Sequence, residues 1–93
     1  MALMLVSSAP SRDAYDAIER IVDFTGDRPS GLVVHSAAET ADGTVLIVDI
    51  WESDAAMDAF ERERLFPAFA TGGMADAMQA PPTRHSTFHL VRG

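Results

Sequence analysis

Residues Gly31 to Ser53 read GLVVHSAAETADGTVLIVDIWES, and this stretch decides the fold. Leu32 to Thr40 and Thr44 to Trp51 are two strands, the second rich in β-branched residues. Ala41-Asp42-Gly43 joins them, with Gly43 suited to the left-handed position that such hairpin loops need. Pairing Thr40 with Thr44 sets His35 opposite Asp49 and Val33 opposite Trp51; a bulge at Gly43 would move this register by one. Alternation puts Val45, Ile47, Asp49 and Trp51 on one face, and Leu46, Val48 and Ile50 on the other. Both faces are apolar enough to require a cover.

Working outward, Ala2 to Ser8 is an apolar run too short for a helix and reads as a strand. Ser11 is an N-cap, and a helix follows from about Arg12 to Thr25 with Ala14, Ile18, Ile21 and Val22 on its inner stripe. Tyr15 sits at the stripe edge and reads as packing; Gly26 suits the C′ position. Ser53 caps a second helix, Asp54 to about Arg64, with Met57 and Phe60 inward, and Pro67 kinks or breaks it. Phe66 and Phe69 continue a short turn of core, Met74 and Met78 a further turn that could act as a lid. Arg84 to Val91 is the last strand, with Ser86, Phe88 and Leu90 on one face and His85, Thr87, His89 and Val91 on the other.

The order βαββαβ defines a single α+β domain over residues 1–93, ferredoxin-like, with a four-stranded antiparallel sheet and helices on one face. The face of Val33, Ile47, Trp51 and Val91 is expected to lack helices. Such a patch predicts a partner. A two-fold homodimer, sheet against sheet, would enclose a cavity lined by those residues.

Composition narrows the function. The net charge is −7 and the seven basic residues, all Arg, are scattered, which speaks against nucleic-acid binding. There is no Cys, so no disulfide and no thiol chemistry. No run approaches the ~20 apolar residues of a membrane span, and MALMLV lacks the basic start of a signal peptide. A cytoplasmic protein is expected. No Gly-rich phosphate loop and no G-x-S-x-G motif is present, so no nucleotide or other cofactor is expected.

GLVVH, the hairpin ending DIWES, the F-x-x-x-RLFP of Phe60 to Pro67 and the last strand with His89 resemble the dimeric α+β barrel superfamily. Within it, they are most similar to the antibiotic-biosynthesis monooxygenase-like family. That resemblance implies a homodimer of ferredoxin-like subunits. It also implies cofactor-free oxygenation of an aromatic or polyketide-derived molecule, or cyclisation or isomerisation on the same fold. Trp51 matches the strand-end Trp of many oxygenase members. The Asn that anthrone-oxidising members use beside it has no counterpart, since the chain contains no Asn.

The residues themselves suggest proton transfer. His35 is a general acid or base suited to neutral pH. Asp49, a carboxylate amid apolar neighbours, needs a partner and would orient a histidine. His89 is a third candidate for catalysis. Trp51 offers a flat wall for an aromatic ring, with Val33, Ile47, Phe66 and His85 as further lining. His85 and His89 stand about 13 Å apart along a strand, too far to share an ion, so no metal is expected. The expected partner is a small hydrophobic or aromatic substrate; a non-catalytic ligand-binding dimer is the alternative.

Overall fold

The computed structural model describes residues 2–72 and 82–92; Met74 and Met78 lie outside them. Its elements are β1 (Leu3–Ala9), α1 (Arg12–Val22), β2 (Leu32–Glu39), β3 (Val45–Trp51), α2 (Asp54–Phe60), a π-helical segment (Glu61–Leu65), α3 (Phe66–Gly72) and β4 (Thr83–Ser86). The four strands form one antiparallel sheet in the order β2-β3-β1-β4, the ferredoxin-like α+β arrangement.

Serine hydroxyls start both helices. Ser11 accepts from the Ala14 N–H and Ser53 from the Ala56 N–H, each satisfying a backbone donor that the first helical turn leaves free. The first helix stops earlier than its stripe suggests. Asp23, not Gly26, takes the left-handed position at φ 56°, with its N–H on the Glu19 carbonyl, and its carboxylate accepts from the Gly26 N–H. Within the helix Val22 is buried as its stripe suggests, while Ile21 is exposed.

Pro67 neither breaks nor ends the second helix. It has no N–H to give, and its ring would press on the carbonyl one turn back. The π segment just before it widens the helix, with the Phe66 N–H reaching the Glu61 carbonyl, and the chain stays helical through Gly72.

The hairpin register matches expectation through most of its length: His35 faces Asp49, and Glu39 faces Val45. The bulge lies at the opposite end from Gly43. Val33 is the extra residue, so Leu32 rather than Val33 stands across from Trp51. The neighbouring Gly31 has φ +84°, and a Cβ there would sit 2.6 Å from that of Ala56. Conformation and space both require glycine where the chain enters β2 beneath α2.

The sheet's two faces are the reverse of expectation. Leu3, Leu5, Leu32, Asp49 and Trp51 all point to the helices, where they meet Val22, Met57, Phe60 and Ala68. The other face, which bears no helix among the described residues, carries Met4, Val6, Val34, Leu46 and Val48, with Val34 and Leu46 well exposed. The two faces differ little in hydrophobicity, and the helices cover the one carrying the larger and more reactive side chains.

β4 is shorter than expected. It ends at Ser86, where its ladder to β1 runs out, and Phe88, His89 and Val91 follow outside it, exposed. Arg84 fastens this edge strand to the second helix through Asp54, Asp58 and Glu61. Among the described residues no helix is long and apolar enough to cross a membrane.

Candidate functional site

A cavity of about 80 Å³ lies between the helices and the sheet of a single chain. Leu5, Ile18, Phe24, Ile47 and Phe60 are among the residues of its largely apolar wall. His35 and Asp49 reach it from adjacent strands, and Tyr15 and Glu19 from α1. The hairpin ladder sets His35 against Asp49, and Tyr15 reaches His35 from α1.

Three of these groups form a chain of hydrogen bonds. His35 Nδ1 is 2.6 Å from Asp49 Oδ1, and His35 Nε2 is 2.7 Å from the Tyr15 hydroxyl. A carboxylate only accepts, which assigns the proton to Nδ1. Nε2 then presents its lone pair, and the Tyr15 hydroxyl donates to it. Phe24 stacks on the imidazole with ring centroids 4.0 Å apart and planes within 8°. The ring therefore has both nitrogens engaged and one face covered, leaving it little freedom to rotate.

Burial protects the pair. The Asp49 side chain is 5% exposed and that of His35 14%. At that depth a carboxylate without its partner would be costly, so the imidazole is the condition for Asp49 lying there. Burial, together with the negative charges of Glu19 and Asp49, pushes the Tyr15 phenol above its usual range. Tyr15 thus holds its proton at neutral pH and can pass it on only as it receives another. Tyr15 and His35 also line a second, more polar groove of about 270 Å³ with Arg12, Ser36 and Glu39, so the pair stands between the cavity and the protein's edge.

Of the residues expected at the site, His35, Asp49 and Ile47 are there. The others are elsewhere. Trp51 has no exposed surface; it packs on Phe60 with centroids 4.9 Å apart and does not reach the cavity wall. Val33 is taken out of the ladder by the bulge. Phe66 is more than half exposed on the outside of its helix. His85 points to the helix-free face beside Met4, bonded to the Thr83 hydroxyl, and His89 is exposed beyond β4. The cavity is also not formed between two sheets, because these side chains lie under the helices of their own chain. Among the described residues no three His, Asp or Glu side chains are grouped to hold a metal ion.

Tyr15, Glu19 and Phe24 were not expected at the site. Tyr15, Ile18, Glu19 and Val22 follow the i, i+3, i+4, i+7 spacing of one helix face, which is the signal that places the first and third beside the partly buried Ile18 and the buried Val22.

This chain has the fold of the antibiotic biosynthesis monooxygenase-like proteins, as the solved structures make plain. SnoaB, a cofactor-independent oxygenase from Streptomyces nogalater, superposes with a TM-score of 0.72 at 14% identity, covering 97% of this chain and 96% of that one. A candidate antibiotic biosynthesis monooxygenase from Deinococcus radiodurans gives 0.70 at 14% identity over 99% and 97%. Another from Chloroflexus aurantiacus gives 0.69 at 14% over 98% and 97%. At these identities the likeness is one of fold. No known family matches the sequence itself, and no curated protein does.

Proposed function

We propose that this protein is a cofactor-independent monooxygenase acting on a small hydroxylated aromatic or polyketide-derived molecule. The observation that carries this reading is the Tyr15–His35–Asp49 hydrogen-bond chain on the wall of an apolar cavity. The fold shared with SnoaB supports it. The apolar wall takes the ring.

A ring hydroxyl gives its proton to the Tyr15 oxygen while Tyr15 passes its own to His35 Nε2. Asp49 stabilises the imidazolium formed, a buried positive charge that its carboxylate balances. The substrate anion carries negative charge onto a ring carbon, which bonds to O₂. The resulting peroxide takes one proton, and the hydroperoxide loses water to leave a carbonyl. One oxygen atom enters the product and the other leaves as water. Cyclisation or isomerisation would share the first proton transfer and omit O₂.

The protein works on this reading as a cytoplasmic homodimer. The helix-free face, with Val34 and Leu46 exposed, is the surface the partner would cover. Tyr15, His35 and Asp49 belong to one subunit, so on this reading the dimer would serve stability.

The test is oxygen uptake with 9-hydroxyanthracene and no added flavin or metal. The expected result is one O₂ consumed per anthraquinone formed, well above the rate without protein. Turnover of a cyclisable polyketide without O₂ consumption would instead assign the proton chain to a cyclase. Absence of both reactions would count against catalysis.

A further inference from the structure

Glu19 is the ionisable residue lining the cavity that the proton chain does not use. One of its carboxylate oxygens, Oε1, accepts the Phe24 N–H at 3.1 Å, helping to close the end of α1. The other, Oε2, is buried and has no hydrogen-bond partner among the described residues. Glu19 lines the cavity and stands one helical turn from Tyr15 on the same face of α1.

A merely structural role does not account for this side chain. Closing the helix requires a single acceptor, which the amide oxygen of Gln supplies equally well. A carboxylate near a helix C-terminus opposes the helix dipole, and a buried acceptor without a donor is itself unfavourable. Both costs fall away if something entering the cavity brings a donor to Oε2.

Resting on the function proposed above, we infer that Glu19 selects substrates carrying a second hydroxyl, which donates to Oε2 while the first lies at Tyr15. The substrate is then a dihydroxylated aromatic or its enol equivalent. Glu19 binds and orients it and takes no part in moving the reacting proton. A compound with one hydroxyl leaves Oε2 buried and unpaired, and so binds less well.

The test is anaerobic calorimetric titration with 1-naphthol, 2-naphthol, a panel of dihydroxynaphthalenes, and their monomethyl ethers, which keep the ring and lose one donor. At least one diol should bind about tenfold or more tightly than both its ether and the naphthols. Glu19→Gln, which keeps the acceptor for Phe24 and places a donor at the second position, should melt like the parent and lose that preference. The ether comparison uses the unaltered protein and so does not depend on the variant folding. Naphthols that bind and shift the His35 ring signals without any preference for a diol would overturn the Glu19 inference alone. So would a preference that survives in E19Q. Failure of every naphthol and diol to bind would overturn it together with the aromatic-substrate reading.

Discussion

His35→Gln lowers the turnover of 9-hydroxyanthracene by about 10²–10⁴-fold, the span that a positioned acid–base group contributes. Gln is chosen because its amide still offers Asp49 a donor. Ala would leave a carboxylate that is only 5% exposed without a partner and risk the fold. Tyr15→Phe should lose a comparable factor, since the phenol stands between Nε2 and the cavity at 2.7 Å. The double variant should be little worse than either single one, because residues acting in one chain do not contribute additively. Rates measured by oxygen electrode and by anthraquinone absorbance check all three. A double variant whose loss is the product of the two single losses would mean that Tyr15 and His35 act separately.

Trp51→Ala destabilises the protein by about 3–5 kcal/mol, the usual cost of emptying a large aromatic from a core. For a domain of this size that lowers the melting temperature by at least about 12 °C. Trp51 has no exposed surface and packs on Phe60, so the cavity left behind cannot fill without moving the second helix. Trp51→Phe is expected to be mild. The indole Nε1 has no hydrogen-bond partner among the described residues, so Phe breaks no bond and removes a buried donor. It should also leave naphthol affinity unchanged. Thermal unfolding and calorimetry on the two variants separate a core role from ring stacking, because a stacking Trp would weaken binding in W51F while sparing stability.

The hairpin was readable from the sequence because alternation and turn chemistry are local. Thr40 N–H on the Thr44 carbonyl at 2.8 Å, Gly43 at φ +88° and the Asp42 carboxylate bonded to Thr44 close the loop as its residues suggest. Hydrogen bonds from the Thr40 hydroxyl first, then from the Thr44 hydroxyl and N–H, hold the exposed Asp42 carboxyl down at about 2. The facing of His35 and Asp49 follows directly. Which face the helices cover does not, because alternation says only which residues share a side. Val45, Ile47 and Trp51 compete with Leu46, Val48 and Ile50 on nearly equal terms. That choice depends on packing against α1 and α2, a long-range property.

Other differences have the same origin. Val33 and Val34 are interchangeable as strand formers, so nothing local marks the first as the bulge. RHSTFHLV alternates well enough for a long strand, but an edge strand extends only as far as its neighbour's ladder, and β1 stops it at Ser86. Pro67 signals a break in isolation, and only the widened turn before it, held by packing, lets the helix continue. Tyr15 and Glu19 were within reach of helical spacing, yet their place at a site depended on knowing which strand face lay beneath them.

The chain has three histidines, and only His35 lies at the cavity. The most direct measurement is therefore an NMR titration of the imidazole signals with 1-naphthol under argon. The site described here requires the His35 signals to move while those of His85 and His89, both exposed and away from the cavity, stay in place. Movement at His85 or His89 with His35 unchanged would contradict it.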